Sequence, residues 1–350
     1  MANAEDTPVM TYDDIVNKAR ELLSPCCRVC PVCNGKGCGI GFPGPGSKGP
    51  VNGAEVNYNA WQKYCINMDT LYEKAPISTA VDFFGTEFKA PIYVAPIGAI
   101  KLHYHYSSDA EYNSILVKAA AKYGIMAFTG DGPVEGVFDG GVKYIGEENG
   151  IGCPTIKPWA LDKVKEKIDI VKANGCRFFA MDVDGAGLPL FAALNDGGGS
   201  KSVDQLKEIV DYAGIPFILK GVMTPKAALK AAEAGCSGIV VSNHGGRVLS
   251  CTPGTAEVLP AIADAVKGKM KILVDGGIRS GVDVFKALAL GADGVLIGRP
   301  VLPMVLAGGE EGLALYMNKI IAELKDTMTM CGATTINTIS RDMIWNGDKL

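Results

Sequence analysis

Short apolar segments recur along most of the chain, and segments with helical periodicity separate them. From residue 91 onward, eight runs rich in β-branched and aromatic residues have the length of buried strands. They are Ile92–Pro96, Met126–Thr129, Cys153–Lys157, Phe178–Val183, Phe217–Lys220, Gly238–Ser242, Ile272–Asp275 and Gly294–Ile297. Segments such as Ser202–Tyr212, Pro225–Ala234 and Val282–Leu290 carry apolar residues at helical spacing. Eight strand–helix units predict an α/β fold of the (β/α)8 TIM-barrel type.

An open doubly wound sheet is the alternative architecture for alternating strands and helices. A Rossmann-type sheet needs a glycine-rich fingerprint after its first strand, and Pro96-Ile97-Gly98 does not supply one. Before residue 91 the pattern differs, because a capped amphipathic helix ends at Ser24-Pro25 and a long loop rich in Gly, Pro and Cys follows it. We therefore predict an N-terminal helical and loop extension over residues 1–90. The barrel and C-terminal helices then occupy residues 91–350.

Charge and hydropathy argue against several classes of partner. The net charge is -4, so no basic footprint for nucleic acid is expected. No run reaches the ~18 apolar residues of a membrane span. Residues 1–6 have neither the charge pattern nor the apolar run of a signal peptide. We expect a cytoplasmic protein that acts on a small molecule.

Polar side chains gather where the predicted strands end. These residues are Thr129, Lys157, Asp182, Asp184, Lys220, Ser242, His244, Arg247, Asp275 and Arg279. Because α/β barrels assemble their active sites at the carboxyl ends of the strands, we expect these side chains to face one pocket.

The residue types in this set indicate acid–base chemistry beside a phosphate site. His244 is a candidate base, a carboxylate such as Asp184 would orient its ring, and Arg247 suits a substrate carboxylate. Asp275–Gly281 and Gly298-Arg299 follow the last two strands, where many barrels bind phosphate on backbone N–H groups and arginine.

Ser242–Arg247, Asp275–Gly281 and Gly298-Arg299, with Lys220 and Ala95–Gly98, resemble the FMN-dependent α-hydroxy acid oxidase and dehydrogenase family. Glycolate oxidase and lactate oxidase belong to that family. The resemblance implies oxidation of a 2-hydroxy carboxylic acid to the 2-oxo acid, with FMN N5 as hydride acceptor. It also implies His244 as base, Asp184 as stabiliser of the protonated ring and Arg247 as carboxylate anchor.

The same resemblance implies a set of cofactor-binding residues and a homotetramer. The set is Pro96, Ile97, Gly98, Thr129, Thr155, Asp182, Lys220, Ser242, Asp275, Gly277, Arg279, Gly298 and Arg299. Lys220 would lie near flavin N1 and O2 and offset negative charge on reduced FMN.

The chain departs from the family pattern on the third and fourth strands. Thr155-Ile156-Lys157 stands where the family has Gln-x-Tyr, and Asp182-Val183-Asp184 stands where it has Thr-x-Asp. Phe191 takes the place of a second substrate arginine. We expect Lys157 to supply the missing cation and to bind substrate with His244 and Arg247. The other interpretation is that the substrate is not a simple small 2-hydroxy acid.

Two other functions stay open on the sequence. One is a non-redox FMN barrel, such as a type 2 isopentenyl diphosphate isomerase, which shares the phosphate-binding end. The other is a phosphate-binding barrel without flavin, in which Lys220 and His244 act as acid and base.

Five of the eleven cysteines lie close together in the long N-terminal loop. In a chain without an export signal, thiols or metal ligands are expected rather than disulfides. Cys27-x2-Cys30-x2-Cys33-x4-Cys38 has the spacing of iron–sulfur or zinc ligation. The alternative is a reduced loop that folds over the mouth of the barrel.

Overall fold

The computed structural model describes residues 10–41, 43–106, 108–134, 136–193 and 197–345, without the side chains of residues 190 and 192. The prediction about residues 1–6 lies outside this part of the chain. The strands are β1 Val81–Phe83, β2 Thr86–Phe88, β3 Ile92–Val94, β4 Phe128–Thr129, β5 Cys153–Ile156, β6 Phe179–Asp182, β7 Phe217–Val222, β8 Gly238–Val241, β9 Lys271–Asp275 and β10 Gly294–Ile297.

Helices separate the strands of the barrel and cover its outer face. They are α1 Tyr12–Leu23, α2 Gly53–Gln62, α3 Ile100–Tyr104, α4 Asp109–Tyr123, α5 Val137–Glu147, α6 Leu161–Ala173, α7 Pro189–Ala193, α8 Val203–Ala213, α9 Pro225–Glu233, α10 Thr255–Val266, α11 Gly281–Ala289 and α12 Val301–Met330. No helix among the described residues is long and apolar enough to cross a membrane.

Eight parallel strands form the barrel, in the spatial order β3-β10-β9-β8-β7-β6-β5-β4. A parallel bridge between Val94 and Ala127 joins the two ends of this order, and the Val94 amide donates to the Met126 carbonyl at 3.0 Å. The predicted (β/α)8 barrel is confirmed, and all eight predicted strands are present in it.

Side chains of the barrel strands alternate between the interior and the helical layer, as the period of two of a β-strand requires. One cluster of buried residues contains Tyr93, Phe128, Cys153, Phe178, Ala180, Ile218, Val240, Leu273 and Leu296, one or two from each strand region. Continuing this alternation toward the strand ends brings Thr155, Asp182, Lys220, Ser242 and Asp275 to the same inner face. The strand period therefore stacks the polar residues directly above the apolar interior.

The hairpin of β1 and β2 closes the opposite end of the barrel with aromatic rings. The ring of Phe83 lies 5.4 Å from that of Tyr93 and 5.9 Å from that of Phe178. Phe88 lies 5.5 Å from Tyr93, nearly edge-on. The sequence pattern did not predict this hairpin, because each strand has three residues and carries little alternation.

The N-terminal extension packs against the barrel at several points. Helix α1 begins with a capping box between Thr11 and Asp14. One face of the helix is buried, with Ile15, Ala19 and Leu23 on it. Residues 26–41 and 43–52 of the loop before α2 lie across the loops that follow the strands, where the Lys48 amide donates to the Gly246 carbonyl at 2.8 Å. The division of the chain at residue 90 stays a prediction.

Candidate active site

A cavity opens at the carboxyl ends of the barrel strands. Most of the site residues predicted from the sequence line it: Pro96, Ile97, Gly98, Lys157, Asp182, Lys220, His244, Arg247, Asp275, Gly277, Arg279, Gly298 and Arg299. Asp184 and Ser242 adjoin this group through hydrogen bonds to His244 and Lys220. The expected convergence of the strand ends is therefore present.

His244 and Asp184 form a hydrogen-bonded pair at this mouth. The imidazole Nδ1 lies 3.1 Å from Asp184 Oδ1, and the His244 backbone amide donates to Ser242 Oγ at 3.1 Å. Asp184 stands on the short 3₁₀ turn after β6. Gly221 makes room for it, since a Cβ at that position would lie 2.5 Å from Asp184 Cγ. The fold therefore directs Nδ1 of the His244 imidazole toward the Asp184 carboxylate.

The electrostatic surroundings favour a neutral imidazole beside an ionised carboxylate. Burial lowers the pKa of His244 below its ordinary value, while Asp184 opposes this shift. Burial alone would raise the pKa of Asp184, but the neighbouring His244 and Lys220 outweigh it and hold that pKa below its usual range. A neutral ring at neutral pH can accept a proton, and Asp184 can stabilise the resulting charge.

A second carboxylate faces the other ring nitrogen. Asp182 Oδ2 lies 3.9 Å from His244 Nε2 and also forms an ion pair with Lys157. Burial raises the pKa of Asp182, and the nearby Asp184 adds to this effect. The sequence placed Asp182 at the cofactor and Lys157 at the substrate, but it did not show that the two side chains are paired.

Asp131, which the sequence analysis did not single out, fixes the end of the third barrel strand. Its carboxylate accepts from the Lys157 amide at 2.9 Å, from Trp159 Nε1 at 2.6 Å and from Lys167 Nζ at 3.1 Å. The Trp159 ring packs 4.8 Å from that of Phe191, which lines the cavity. Phe191, which replaces the second substrate arginine of the family pattern, therefore lies at the cavity.

Lys220 supplies a buried cation on the inner face of β7. Its ammonium donates to Ser242 Oγ at 2.9 Å and lies 3.3 Å from Asp275 Oδ2. Burial acts to lower the pKa of Lys220, but the carboxylates of Asp275, Asp184 and Asp182 outweigh it and raise that pKa. The ammonium therefore stays charged at neutral pH.

Arg247 reaches the cavity and is held there by the N-terminal loop. Its Nη1 donates to the carbonyls of Gly44 and Gly46 at 2.6 and 2.9 Å, and its Nη2 lies 3.2 Å from His103 Nε2. Burial, followed by the nearby Arg299, lowers the pKa of Arg247 to about 10. Burial and Arg247 lower the pKa of His103 to about 4, so His103 is neutral. The sequence gave no signal for this neighbour of Arg247.

Two further arginines line the cavity, as predicted. Arg279 Nη1 donates to the Ile278 carbonyl at 2.6 Å, and its Nε donates to the Cys33 carbonyl at 2.5 Å. Arg299 donates to the carbonyls of Pro45 and Gly245 at 3.1 and 3.0 Å. Both guanidinium groups therefore link the strand-end loops to the N-terminal loop while lining the cavity.

Three buried oxygen atoms of the inner face have no hydrogen-bond partner within the described chain. They are Thr155 Oγ1, Asp182 Oδ1 and Asp275 Oδ1. Because buried polar atoms are nearly always paired, they indicate a ligand that carries donor groups. With the Lys220 ammonium and the two arginines, these atoms fit a phosphorylated cofactor with ring and hydroxyl donors, such as FMN.

Thr129 is not among the residues that line the cavity, although its hydroxyl, like that of Thr155, has no hydrogen-bond partner in the described chain. The inward residue of β4 is Phe128, so its neighbour Thr129 faces the helical layer. A Cβ on Gly141 of α5 would lie 2.8 Å from Thr129 Oγ1, which places that hydroxyl against the helix. Its side chain therefore points away from the cavity.

All eleven cysteines lie within the described residues and are free thiols. Cys27, Cys30, Cys33 and Cys38 line a second cavity, next to the first. Burial raises the pKa of Cys27 to about 11, and the neighbouring thiols of Cys38, Cys33 and Cys30 add to this shift. No three cysteine sulfurs among the described residues lie within 4.8 Å of one another. A compact tetrahedral arrangement is therefore not preformed.

Comparisons with known proteins agree with the fold and with an FMN-dependent enzyme. The model of the family described as "FMN-dependent dehydrogenase" matches residues 46–189 and 193–346. A peroxisomal (S)-2-hydroxyacid oxidase of Arabidopsis thaliana is 43% identical over 162 residues, which are 46% of this chain and 44% of that protein. An L-lactate oxidase of Roseobacter sp. (strain GAI101) is 43% identical over 143 residues, 41% of this chain and 39% of that protein. The aligned part of the chain thus spans less than half the length of these curated relatives.

Solved structures extend the likeness to nearly the whole chain. A mandelate oxidase is 26% identical, with a TM-score of 0.76, and the match covers 96% of this chain and 98% of that one. A lactate oxidase of Pediococcus acidilactici is 25% identical, with a TM-score of 0.76, covering 98% of this chain and 96% of that one. The family match covers most of the barrel, including the strand ends that carry His244 and the two arginines. The chain therefore belongs to the FMN-dependent dehydrogenase family.

Proposed function

We propose that this chain oxidises a 2-hydroxy carboxylic acid of the lactate or glycolate kind to the 2-oxo acid. FMN, when bound, supplies a two-electron acceptor for the hydride on the substrate α-carbon. The observation that carries the proposal is the hydrogen bond between neutral His244 and ionised Asp184, in a cavity that also contains Arg247. A base and a carboxylate anchor at one mouth are what this oxidation requires.

His244 takes the hydroxyl proton of the substrate in this proposal. Its Nδ1 is engaged with Asp184, so Nε2 is the nitrogen left to receive the proton. The resulting imidazolium lies between two carboxylates, since Asp182 stands 3.9 Å from Nε2. Both carboxylates stabilise the positive ring and so favour proton transfer from the hydroxyl.

The substrate carboxylate is bound by Arg247, with Lys157 as the second cation. Arg247 carries donors on a planar fork that matches a carboxylate, and it is now held by loop carbonyls that an anion would replace. Lys157 lies across the cavity, on the side of Asp182 and Phe191. This arrangement replaces the tyrosine and second arginine expected from the resemblance.

The remaining predicted residues hold the cofactor. Arg279 and Arg299 would bind the phosphate, and Asp275 would accept from the ribityl chain with its unpartnered oxygen. Lys220 would offset negative charge on the ring, and Thr155 would offer its unpartnered hydroxyl to the ring edge. Pro96, Ile97, Gly98, Gly277 and Gly298 shape the walls, and their small or apolar character permits close approach of a planar ring. Ser242 adjoins the walls through the hydrogen bond that its Oγ accepts from Lys220.

Anaerobic reduction of the bound flavin tests the function. We expect the flavin absorption to bleach when lactate, glycolate or a longer 2-hydroxy acid is added to the yellow protein. A 2-hydroxy acid with two alkyl groups on the α-carbon has no α-hydrogen to transfer as hydride, so it is the matched control. If none of the 2-hydroxy acids bleaches the flavin faster than this control, the proposal is wrong.

The alternative functions find no support in the comparisons. The named relatives are 2-hydroxyacid oxidases and a lactate oxidase, which do not favour a non-redox FMN barrel of the isoprenoid isomerase kind. A flavin-free barrel does not agree with the family match.

We propose a cytoplasmic homotetramer as the working form. The tetramer rests on family analogy, and the cytoplasm rests on the charge and hydropathy of the sequence. Sedimentation analysis of the purified protein tests the first statement, and microscopy of the tagged chain in its own host tests the second.

A further inference from the structure

A second cavity of about 800 Å³ lies between the N-terminal loop, helices α1 and α12, and the arginines of the phosphate end. Cysteines 26, 27, 30, 33 and 38 all contribute to its wall. None of the proposed steps of substrate oxidation uses this cavity. Its wall is thus a concentration of metal-binding side chains without an assigned role.

Four of these thiols belong to one short stretch of the loop. Cys27, Cys30, Cys33 and Cys38 all contribute to the wall of the same cavity. A Cβ on Gly37 would lie 2.8 Å from Cys30 Sγ, so the loop folds back tightly over this sulfur. The loop therefore gathers Cys27, Cys30, Cys33 and Cys38 around one space.

The wall of the cavity is positively charged. Six Lys and Arg side chains line it against two Asp side chains. Among them, Arg20 donates to the Val29 carbonyl at 3.3 Å and Arg279 to the Cys33 carbonyl at 2.5 Å, so the cations are fastened to the cysteine loop. A group bound by four thiolates carries net negative charge, and this wall complements it.

The absence of closely spaced sulfurs in the described chain favours a larger cluster over one metal ion. A tetrahedral zinc ion, with Zn–S bonds of about 2.3 Å, brings its thiolates to about 3.8 Å from one another. No three cysteine sulfurs in the described chain lie even within 4.8 Å. An iron–sulfur core holds its four thiolates farther apart, and it fills more of an 800 Å³ space.

We propose that Cys27, Cys30, Cys33 and Cys38 bind one iron–sulfur cluster of the four-iron type. The run Cys27-x2-Cys30-x2-Cys33 has the ligand spacing of bacterial clusters of that type, and Cys38 completes the set from the far side of the loop. Arg279 and Arg299 line both cavities, so the cluster lies beside the phosphate end of the flavin site.

Anaerobic purification of the full chain, followed by iron and acid-labile sulfide analysis, tests the proposal. We expect about four iron and four sulfide per chain after incubation with ferrous iron and sulfide. Mössbauer spectra of iron-57 protein identify the cluster independently of the flavin absorption. Protein without iron and sulfide, or with about one zinc per chain instead, would overturn the proposal.

Single cysteine variants test the ligand set. Cys30→Ser and Cys33→Ser are expected to lose most of the iron and sulfide, while the adjacent Cys26→Ser retains both. Far-UV circular dichroism and FMN content show whether each variant still folds. If a variant does not fold, the iron and sulfide content of the wild-type protein still tests the proposal. Equal loss of iron from Cys26→Ser and Cys30→Ser, with all folded, would contradict this ligand set.

Discussion

The proposed phosphate end and the proposed substrate end of the active-site cavity are built differently. At the phosphate end, which comprises the loops with Asp275–Arg279 and Gly298-Arg299, the backbone sets much of the geometry, with Gly276 and Gly277 at φ of 87° and 86°. At the substrate end, charged side chains pair with each other: Lys157 with Asp182, and His244 with Asp184. The first end suits a ligand that stays bound. The second suits a substrate that binds and leaves in each turnover, because the ion pairs between its side chains can be exchanged for contacts with the substrate.

Replacing the base is the strongest way to separate the two ends. His244→Asn is expected to slow flavin reduction by about 10²- to 10⁴-fold, since general base catalysis contributes that much. FMN affinity is expected to stay unchanged. Asn tolerates the left-handed backbone at this position, where φ is 56°. Stopped-flow reduction with excess substrate measures the rate.

The matched control is His105→Asn, an exposed histidine with φ of 54°. It is expected to reduce its flavin at the wild-type rate. Comparable rates in the two variants would remove His244 from the chemistry.

The pH profile probes how the carboxylates act on the base. Because the pKa of His244 lies below 6.5, the reduction rate is expected to fall only as the pH drops through that lower value, where the ring becomes protonated. Asp184 raises this pKa, so Asp184→Asn moves the acidic limb to still lower pH. It also slows the plateau by about 10- to 100-fold, the worth of a charged hydrogen bond. A limb that moves to higher pH would contradict this electrostatic account.

Removing an arginine at the phosphate end should affect cofactor binding rather than chemistry. Arg279→Met is expected to weaken FMN binding by about 10- to 100-fold, from the loss of charged hydrogen bonds. The rate of flavin reduction at saturating FMN should stay near wild type. Fluorescence titration of the apoprotein measures the affinity. Arg341→Met, at an exposed arginine paired with Asp264, is the control and should bind FMN normally.

Lys157 tests the substrate end in the same manner. Lys157→Met is expected to raise the KM for the 2-hydroxy acid by about tenfold, because one cation near the carboxylate is lost. Lys157→Arg keeps the charge beside Asp182 and should keep most of the affinity. Steady-state kinetics with FMN in excess gives both values. An unchanged KM in folded Lys157→Met protein would show that Lys157 does not bind substrate.

The smallest expected effect separates two threonines on neighbouring strands. Thr155→Val removes an unpartnered hydroxyl from the inner face and should weaken FMN binding by a few-fold, the worth of a neutral hydrogen bond. Thr129→Val changes a hydroxyl that faces Gly141 and should leave FMN affinity unchanged. The same fluorescence titration compares them. If Thr129→Val loses more FMN affinity than Thr155→Val, then Thr129 faces the cavity and Thr155 does not, and the orientations described above are wrong.

Local patterns were enough to predict the barrel and the polar strand ends, most of which line its cavity. The eight strands are buried runs with regular spacing, and the strand period determines which end residues face inward. Applied to β4, the same period indicates that Phe128 faces in and Thr129 out. The sequence analysis grouped Thr129 with the site because it ends a predicted strand and fits the family resemblance, without applying the alternation to β4.

The contacts that the sequence did not predict join distant parts of the chain. Arg247 meets Gly44 across 203 positions, and Arg279 meets Cys33 across 246. The pairing of Lys157 with Asp182 depends on the spacing of two adjacent strands, and Asp131 acts through the packing of Trp159. No periodicity encodes such contacts, because tertiary packing alone decides them.

The aromatic hairpin beneath the barrel has a consequence for the order of events during turnover. Phe83 and Phe88 seal the lower end, so in the described chain the cavity opens on the side of the strand-end loops. Substrate and product then pass between the strand-end loops. A route shared by the two favours alternation, in which the keto acid departs before the next reactant enters. Parallel lines in double-reciprocal plots are the kinetic sign of such a ping-pong sequence.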